Sequence, residues 1–329
     1  INNVKATLGN KSLDYIVCLH METDHAGSMM KAMETFPTAK VVGNAKTFTY
    51  MAQFFDVNLK GRKVEVKDGE SLSLGEHNLT FVCAPMVHWP EVMVAYESSE
   101  KVLFAADAFG KFGAISKYDG DWACEARRYY FNICGKYGVQ VQSLLKKAAA
   151  LDIKTIAPLH GPVLKENLGY YLDLYNTWSS YGVESEGVLV AFASIHGNTR
   201  KAAEKIASIL EEQGAKKVVV SDLSRDDEAE VIEDAFRYGR MIIAAPTYDG
   251  GLFPPMESFL SHLKSKNYQK RTVGIIENGT WAPMSGKLMK AALESMKEIK
   301  ICDTVVTIKS ALKAEQEDSL VALAKEVLA

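Results

Sequence analysis

Four apolar runs in the first half of the chain each stop at a residue able to bind a cation. Tyr15 to Leu19 leads into His20-Met21-Glu22-Thr23-Asp24-His25-Ala26-Gly27, Phe81 to Val87 into His88, Val102 to Ala106 into Asp107, and Ile156 to Leu159 into His160. Short apolar runs bounded by polar residues read as buried strands, and strand ends are the usual address of a site on a layered α/β scaffold.

Within the first of these stretches, an extended backbone alternates its faces, so His20, Glu22 and Asp24 can converge on one point while His25 turns to the other side or lies just beyond. For any one of these residues alone, a polar strand-to-helix loop in which Asp24 or Ser28 caps the next helix is the better reading. The three later segments tip the balance towards a metal site.

The remaining first-half pattern is α/β. Helices are expected over Ser28 to Phe36 and Ala45 to Phe55, a strand over Lys40 to Gly43, and a hairpin or meander over Lys63 to Phe81, where Asp68-Gly69 and Leu74-Gly75 mark turns. A helical zone runs from Trp122 to Ala150. On it Glu125, Arg127 and Arg128 read as an ordinary solvated or ion-paired face and Tyr129 and Tyr130 as packing residues. A second aromatic helix, Tyr170 to Trp178, ends near Gly182.

Beyond Val183 to Glu186 the character changes. Val188-Leu189-Val190-Ala191-Phe192 is a continuous buried-strand run, followed by Ser194-Ile195-His196-Gly197-Asn198-Thr199 and a helix from Arg200 to Gln213. Hydroxyl and amide side chains, Gly197, and free N–H groups at a helix start suit a phosphate monoester. A triphosphate loop would need GxxxxGK[ST] and a dinucleotide fingerprint GxGxxG, and neither occurs here.

Further strands at Lys217 to Val220, Met241 to Ala245, Thr272 to Ile276 and Thr304 to Ile308 predict a five-stranded doubly wound parallel sheet, with its ligand beyond the carboxyl ends of the strands. At that edge lie Pro246-Thr247-Tyr248-Asp249-Gly250-Gly251 and Asn278-Gly279-Thr280-Trp281-Ala282. Each loop offers glycine and an aromatic ring able to lie on a flat ligand. A response-regulator-like domain would show an acidic cluster at the strand ends instead of this phosphate loop.

HxExDH, His-Trp-Pro, Asp-Ala-Phe-Gly and Leu-His-Gly-Pro in that order, followed by SxxGNT, PTYDGG and ENGTW, resemble the flavodiiron proteins over essentially the whole chain. The resemblance implies a metallo-β-lactamase-like αββα sandwich over residues 1–182 and a flavodoxin-like FMN-binding domain over 183–329. It places His20, Glu22 and His88 on one iron and Asp24 and His160 on the other, with Asp107 bridging. It assigns no dependable role to His25. His196 matches the variable position of a flavodoxin phosphate loop.

Metallo-hydrolases of the same fold usually carry HxHxDH. Glu22 in place of the second histidine shifts the donor set towards iron, because imidazole-rich sites suit zinc and mixed nitrogen and oxygen donors suit iron. A zinc hydrolase with a regulatory flavodoxin-like domain, or an electron-carrier flavoprotein, are the alternatives. The family's expected reaction is reduction of dioxygen to water, of nitric oxide to nitrous oxide, or both. Four electrons reduce dioxygen to two waters, two from a di-ferrous pair and two from a reduced flavin.

Five cysteines without a CxxC pair indicate free thiols and no built-in rubredoxin, and the lack of an internal rubredoxin or NADH domain points to a separate reduced protein or cofactor as electron donor, a rubredoxin-like protein being one candidate. A net charge of −3 gives no support to nucleic acid or an anionic membrane as partner, and no stretch reaches the roughly 18 to 20 apolar residues of a membrane helix. The expectation is a cytoplasmic protein, assembled as a head-to-tail homodimer or dimer of dimers. Ile1 stands only about twenty residues before the first ligand, whereas the family has several strands before that point, so an N-terminal segment of the sandwich is expected to be missing.

Overall fold

A computed structural model of the chain describes residues 1–117 and 120–329. They divide into two compact units, one of residues 1–126 and 137–176, the other of residues 127–136 and 177–329. Residues 127–136 and 177–182 therefore pack with the second unit, although in sequence they precede the polar hinge.

The first unit holds two sheets. β1 (Tyr15–Val17), β2 (Lys40–Gly43) and β3 (Lys63–Glu65) form a parallel sheet in that order. β4 (Ser71–Ser73), β5 (Asn78–Cys83), β6 (Met93–Glu97), β7 (Val102–Phe104) and β8 (Thr155–Ala157) form the other, antiparallel except for the parallel pair β7 and β8. The expected Lys63 to Phe81 meander is thus split. Lys63–Glu65 extends the first sheet beside β2, and only β4 and β5 make a hairpin.

Period-two alternation decides what each face of the first sheet covers. Tyr15, Val17, Leu19 and Val42 point into a core shared with Leu79, Phe81, Met93 and Ala95 of the second sheet. Ile16, Cys18 and Val41 face the opposite way, onto Met29, Met33, Phe48 and Met51 of the helices Met29–Thr35 and Ala45–Phe54. Outside the second sheet, the helix Gly138–Ala148 buries Val141 and Leu144, and its Lys147 Nζ donates to the Cys83 carbonyl. The result is a helix, sheet, sheet, helix sandwich.

Strand direction then places the loops. β5, β7 and β8 run the same way, with β6 antiparallel between β5 and β7, so their carboxyl ends share one edge of the sheet. His88, Asp107 and His160 follow those three strands.

In the second unit β9 (Ser185–Phe192), β10 (Val218–Asp222), β11 (Tyr238–Tyr248), β12 (Gly251–Leu252), β13 (Gln269–Asn278) and β14 (Lys297–Ile308) build a sheet of order β10-β9-β11-β13-β14. All five main strands are parallel, and the two-residue β12 pairs antiparallel with β11. Strand order reverses at β9, so the crevice between β9 and β11 is the topological switch point. Val188, Val190, Phe192, Ile242 and Ile276 pack against Ala203, Ile206 and Leu210 of the helix Asn198–Glu212 and Leu320, Leu323 and Val327 of the helix Glu317–Leu328.

Two buried arginines secure this unit. Arg127, 2% exposed, is gripped by both oxygens of Glu184 at 2.6 and 2.7 Å and by Glu233 at 2.7 Å, so it is ion-paired, as one of the two expected readings has it, but buried and not on an ordinary helix face. Arg271 donates to the carbonyls of Tyr181, Gly182, Phe236 and Tyr238 and binds the chain entering the unit to the edge of its sheet. Among the described residues no helix is long and apolar enough to cross a membrane.

Candidate functional site

The first unit gathers seven possible ligands into two sets, His20, Glu22, His88 and Asp107 in one and Asp24, His25 and His160 in the other. Asp107 joins them. Its Oδ2 lies 3.3 Å from both His20 Nε2 and His88 Nε2, and its Oδ1 lies 2.9 Å from His25 Nε2 and 3.6 Å from His160 Nε2. Glu22 Oε2 closes the first set at 3.0 Å from His88 and 3.4 Å from His20, and Asp24 Oδ2 closes the second at 3.1 Å from His160 and 3.3 Å from His25.

His25 is the residue that a fully extended loop misplaces. Thr23–Ala26 is one helical turn, closed by Ala26 N donating to the Glu22 carbonyl at 2.8 Å and Gly27 N to the Thr23 carbonyl at 2.9 Å. A Cβ at position 27 would stand 2.5 Å from that Thr23 oxygen, so only glycine permits the turn. The turn swings His25 into the cluster. The chain thereby forms two sets of two histidines and one carboxylate with a carboxylate shared between them, a donor arrangement suited to non-haem iron.

The fit to cations is tested by atoms that otherwise lack a purpose. His20 Nε2 and Asp107 Oδ2 are both buried and stand 3.3 Å apart, and His20 Nε2 meets no hydrogen-bond partner. A buried imidazole nitrogen and a buried carboxylate oxygen converging at that distance suit a shared cation. Burial works against charge on His25 and His88, but hydrogen bonds to Asp107 and its negative charge raise both above the ordinary histidine value. Burial also pushes Asp107 up, and the His25 and His88 hydrogen bonds outweigh it, holding its carboxyl far below the usual range. The bridge stays anionic, and protons on the imidazoles stand where cations would. Exposure is one-sided: the His20 and Asp107 side chains are buried, whereas Glu22, Asp24 and His160 form an open rim.

Two residues beside this cluster have roles that the motifs do not state, although Trp89 lies within His-Trp-Pro itself. Trp89 meets the His20 ring edge-on, centroids 5.2 Å apart. Glu91, wholly buried, accepts from His20 Nδ1 at 2.7 Å. The Pro90 and Glu91 that follow His-Trp are the only local clue.

In the second unit, Ser194, Ile195, His196, Asn198, Thr199, Pro246, Thr247, Tyr248, Asp249, Gly250, Asn278, Gly279, Thr280, Trp281 and Ala282 line a cleft of about 500 Å³. Met284 and Ser310 complete its wall. Gly197 and Gly251 are not on the wall: Gly197 supplies the left-handed turn, φ 81°, before the helix Asn198–Glu212, and Gly251 starts β12.

Ser194 Oγ accepts from the backbone N–H groups of Gly197 and Arg200 at 3.0 and 3.3 Å, so it shapes the loop, and the first N–H groups of the helix remain for a ligand anion. Asn278 ties the edges together, donating to Thr199 Oγ1 and the Ser310 carbonyl while its Oδ1 accepts from Ser310 N. Thr247 Oγ1 accepts from the backbone N–H groups of Met284 and Ser285. Trp281, 91% exposed, and Tyr248 offer rings at the rim. A volume of this order, one anion site and two aromatics suit a mononucleotide flavin.

Comparison with known proteins agrees with both halves. The ODP family beta lactamase model matches residues 1–161 and a flavodoxin domain model matches residues 189–306. A nitric oxide reductase of Moorella thermoacetica is 28% identical over 96% of this chain and 81% of its own length. An anaerobic nitric oxide reductase flavorubredoxin of Vibrio vulnificus is 26% identical over 85% of this chain and 58% of its own. The crystal structure of the flavodiiron protein from Giardia intestinalis covers 99% of this chain and 83% of its own, with a TM-score of 0.92 at 22% identity. With both domain models in the family order and the two donor sets in place, the chain belongs to the flavodiiron proteins, oxidoreductases that carry FMN and a non-haem di-iron pair.

Proposed function

We propose that this chain reduces dioxygen to water, nitric oxide to nitrous oxide, or both, with electrons entering through FMN from a separate, rubredoxin-like donor. The observation that carries the reading is the division of the Asp107 carboxylate, one oxygen to each set of two histidines and a carboxylate. When bound, the metal pair supplies two adjacent Lewis-acidic, redox-active centres and FMN supplies a two-electron store.

The chain's own residues determine where that chemistry occurs. His20, Glu22 and His88 would hold one cation and Asp24, His25 and His160 the other, with Asp107, one oxygen on each set, offsetting their charge. The buried floor of His20 and Asp107 keeps water from beneath the pair, and the open rim of Glu22, Asp24 and His160 is the approach for a small diatomic substrate. Ser194 to Thr199 would bind the flavin phosphate, and Tyr248 and Trp281 at the cleft offer aromatic surface to its ring. Nitric oxide reduction draws support from the Moorella relative. A cytoplasmic location fits five free cysteines. A head-to-tail dimer, bringing the flavin of one chain to the metal site of its partner, completes the reading.

Iron and flavin quantitation followed by rapid mixing of the reduced protein with dioxygen or nitric oxide tests it. Fast reoxidation with water or nitrous oxide as product is expected. In Asp107→Asn, terminal turnover should fall about tenfold or more while flavin reduction survives, because a bridging charge is lost. Zinc without flavin would instead support a hydrolase.

A further inference from the structure

One buried carboxylate beside the metal cluster lies outside both donor sets. Glu91 is 0% exposed, and its Oε1 accepts from His20 Nδ1 at 2.7 Å and from the Met21 backbone N–H at 2.9 Å. Its own backbone is held in turn: Asn44 Nδ2 donates to the Glu91 carbonyl at 2.6 Å. Asn44 also caps the helix Ala45–Phe54, accepting from Lys46 N and Thr47 N. A line of hydrogen bonds therefore runs from a helix cap through Glu91 to the imidazole of His20. Trp89, perpendicular to that imidazole, blocks its rotation from the side.

We propose that Glu91 is the positioning residue of His20 and the charge that completes the two-cation site. Its acceptor oxygen fixes the proton on Nδ1, which leaves the Nε2 lone pair directed at the cation shared with Glu22, His88 and Asp107. Carboxylates behind ligating histidines act in this way, fixing ring orientation and raising ligand basicity. Charge counting points the same way. Glu22, Asp24 and Asp107 together leave two dications one charge short of neutral, and Glu91, joined through His20, supplies that charge.

A purely architectural role, as acceptor for the Met21 N–H, explains the geometry poorly. Glu91 Oε2 is buried and has no hydrogen-bond partner. A bare buried carboxylate oxygen is costly, and an amide would hold the same N–H at lower desolvation cost. The negative charge makes sense opposite the cations.

The inference rests on the di-iron reading, so the test uses the iron- and FMN-loaded protein and its Glu91→Gln and Glu91→Ala variants. Iron and FMN per chain, iron loss to a chelator, and the reduction potential of the metal site followed by electron paramagnetic resonance are measured. Glu91→Gln keeps shape and an acceptor oxygen but loses the charge. It should retain FMN, bind iron about 10- to 100-fold more weakly, and raise the potential of the metal site. Glu91→Ala should lose iron further at unchanged FMN. If Glu91→Ala fails to fold, the chelator rate and potential of Glu91→Gln decide alone. Wild-type iron retention and potential in Glu91→Gln would overturn the positioning role. A wild-type protein that takes up FMN but no iron would overturn the di-iron reading itself, and this inference with it.

Discussion

Asp107 Oδ1 stands 2.9 Å from His25 Nε2. That contact makes the second donor set the equal of the first, since without His25 it would contain Asp24, His160 and the bridge alone. His25→Ala should therefore lower iron from two per chain towards one, with FMN unaffected, because only one set loses an imidazole. Iron analysis beside flavin absorbance checks this. Full iron content and unchanged metal spectra in the variant would remove His25 from the ligand set.

Much of this arrangement was legible in the sequence because strand ends announce themselves. Apolar runs that stop at His88, Asp107 and His160 give both the element and the address of the ligand, and parallel β5, β7 and β8 do the rest. His25 was not legible, since one helical turn over Thr23–Ala26 hangs on two backbone hydrogen bonds and the missing side chain of Gly27. Glu91 and Arg127 were illegible for a different reason. Their partners lie 71 residues away in one case, and 57 and 106 in the other, and no local pattern encodes such a meeting. Met284 and Ser310 join the flavin cleft through loops whose sequence carries no phosphate or ring motif.

The Arg127 centre sets a pH dependence for the second unit. Burial pushes the Glu233 carboxyl up to about 7, against the opposing charge and hydrogen bond of Arg127. A raised carboxyl favours the folded state while protonated, in full below its unfolded value near 4.5, and that contribution is lost as pH rises through about 7. Relative to Glu233→Gln, the wild type should thus lose stability between pH 5 and pH 8. Arg127→Met, which removes the cation paired with Glu184 and Glu233, should cost about 3–5 kcal/mol. Urea unfolding of each variant across that pH range, followed by tryptophan emission, decides both points. A constant difference between wild type and Glu233→Gln would show that Glu233 ionises normally.

The flavin cleft makes a spectroscopic prediction. Trp281 is 91% exposed at its rim, so FMN added to flavin-free protein should quench indole emission, and Trp281→Phe should remove most of that change. Replacing the ring with alanine should weaken FMN binding by about three- to tenfold, the scale of one aromatic contact. The flavin released on denaturation should be FMN, because the loops provide one anion site and no second-nucleotide fingerprint. Recovery of FAD alone would contradict the cleft assignment.

Electron transfer between the centres gives the last test. If the flavin of one chain serves the metal site of its partner, an isologous head-to-tail dimer contains two equivalent junctions, each built from two subunits. A chain carrying His88→Ala lacks one metal ligand but keeps its flavin cleft. A chain altered at Asn198 and Thr199 loses phosphate-binding groups but keeps its metal site. Neither homodimer should turn over, whereas a hybrid dimer has one junction in which intact flavin faces intact metal. Mixing the two under conditions of subunit exchange, with hybrids verified by native mass spectrometry, should restore up to about half of the wild-type rate per dimer. Background activity in verified hybrids would place the transfer within a single chain and remove the reason for the head-to-tail arrangement.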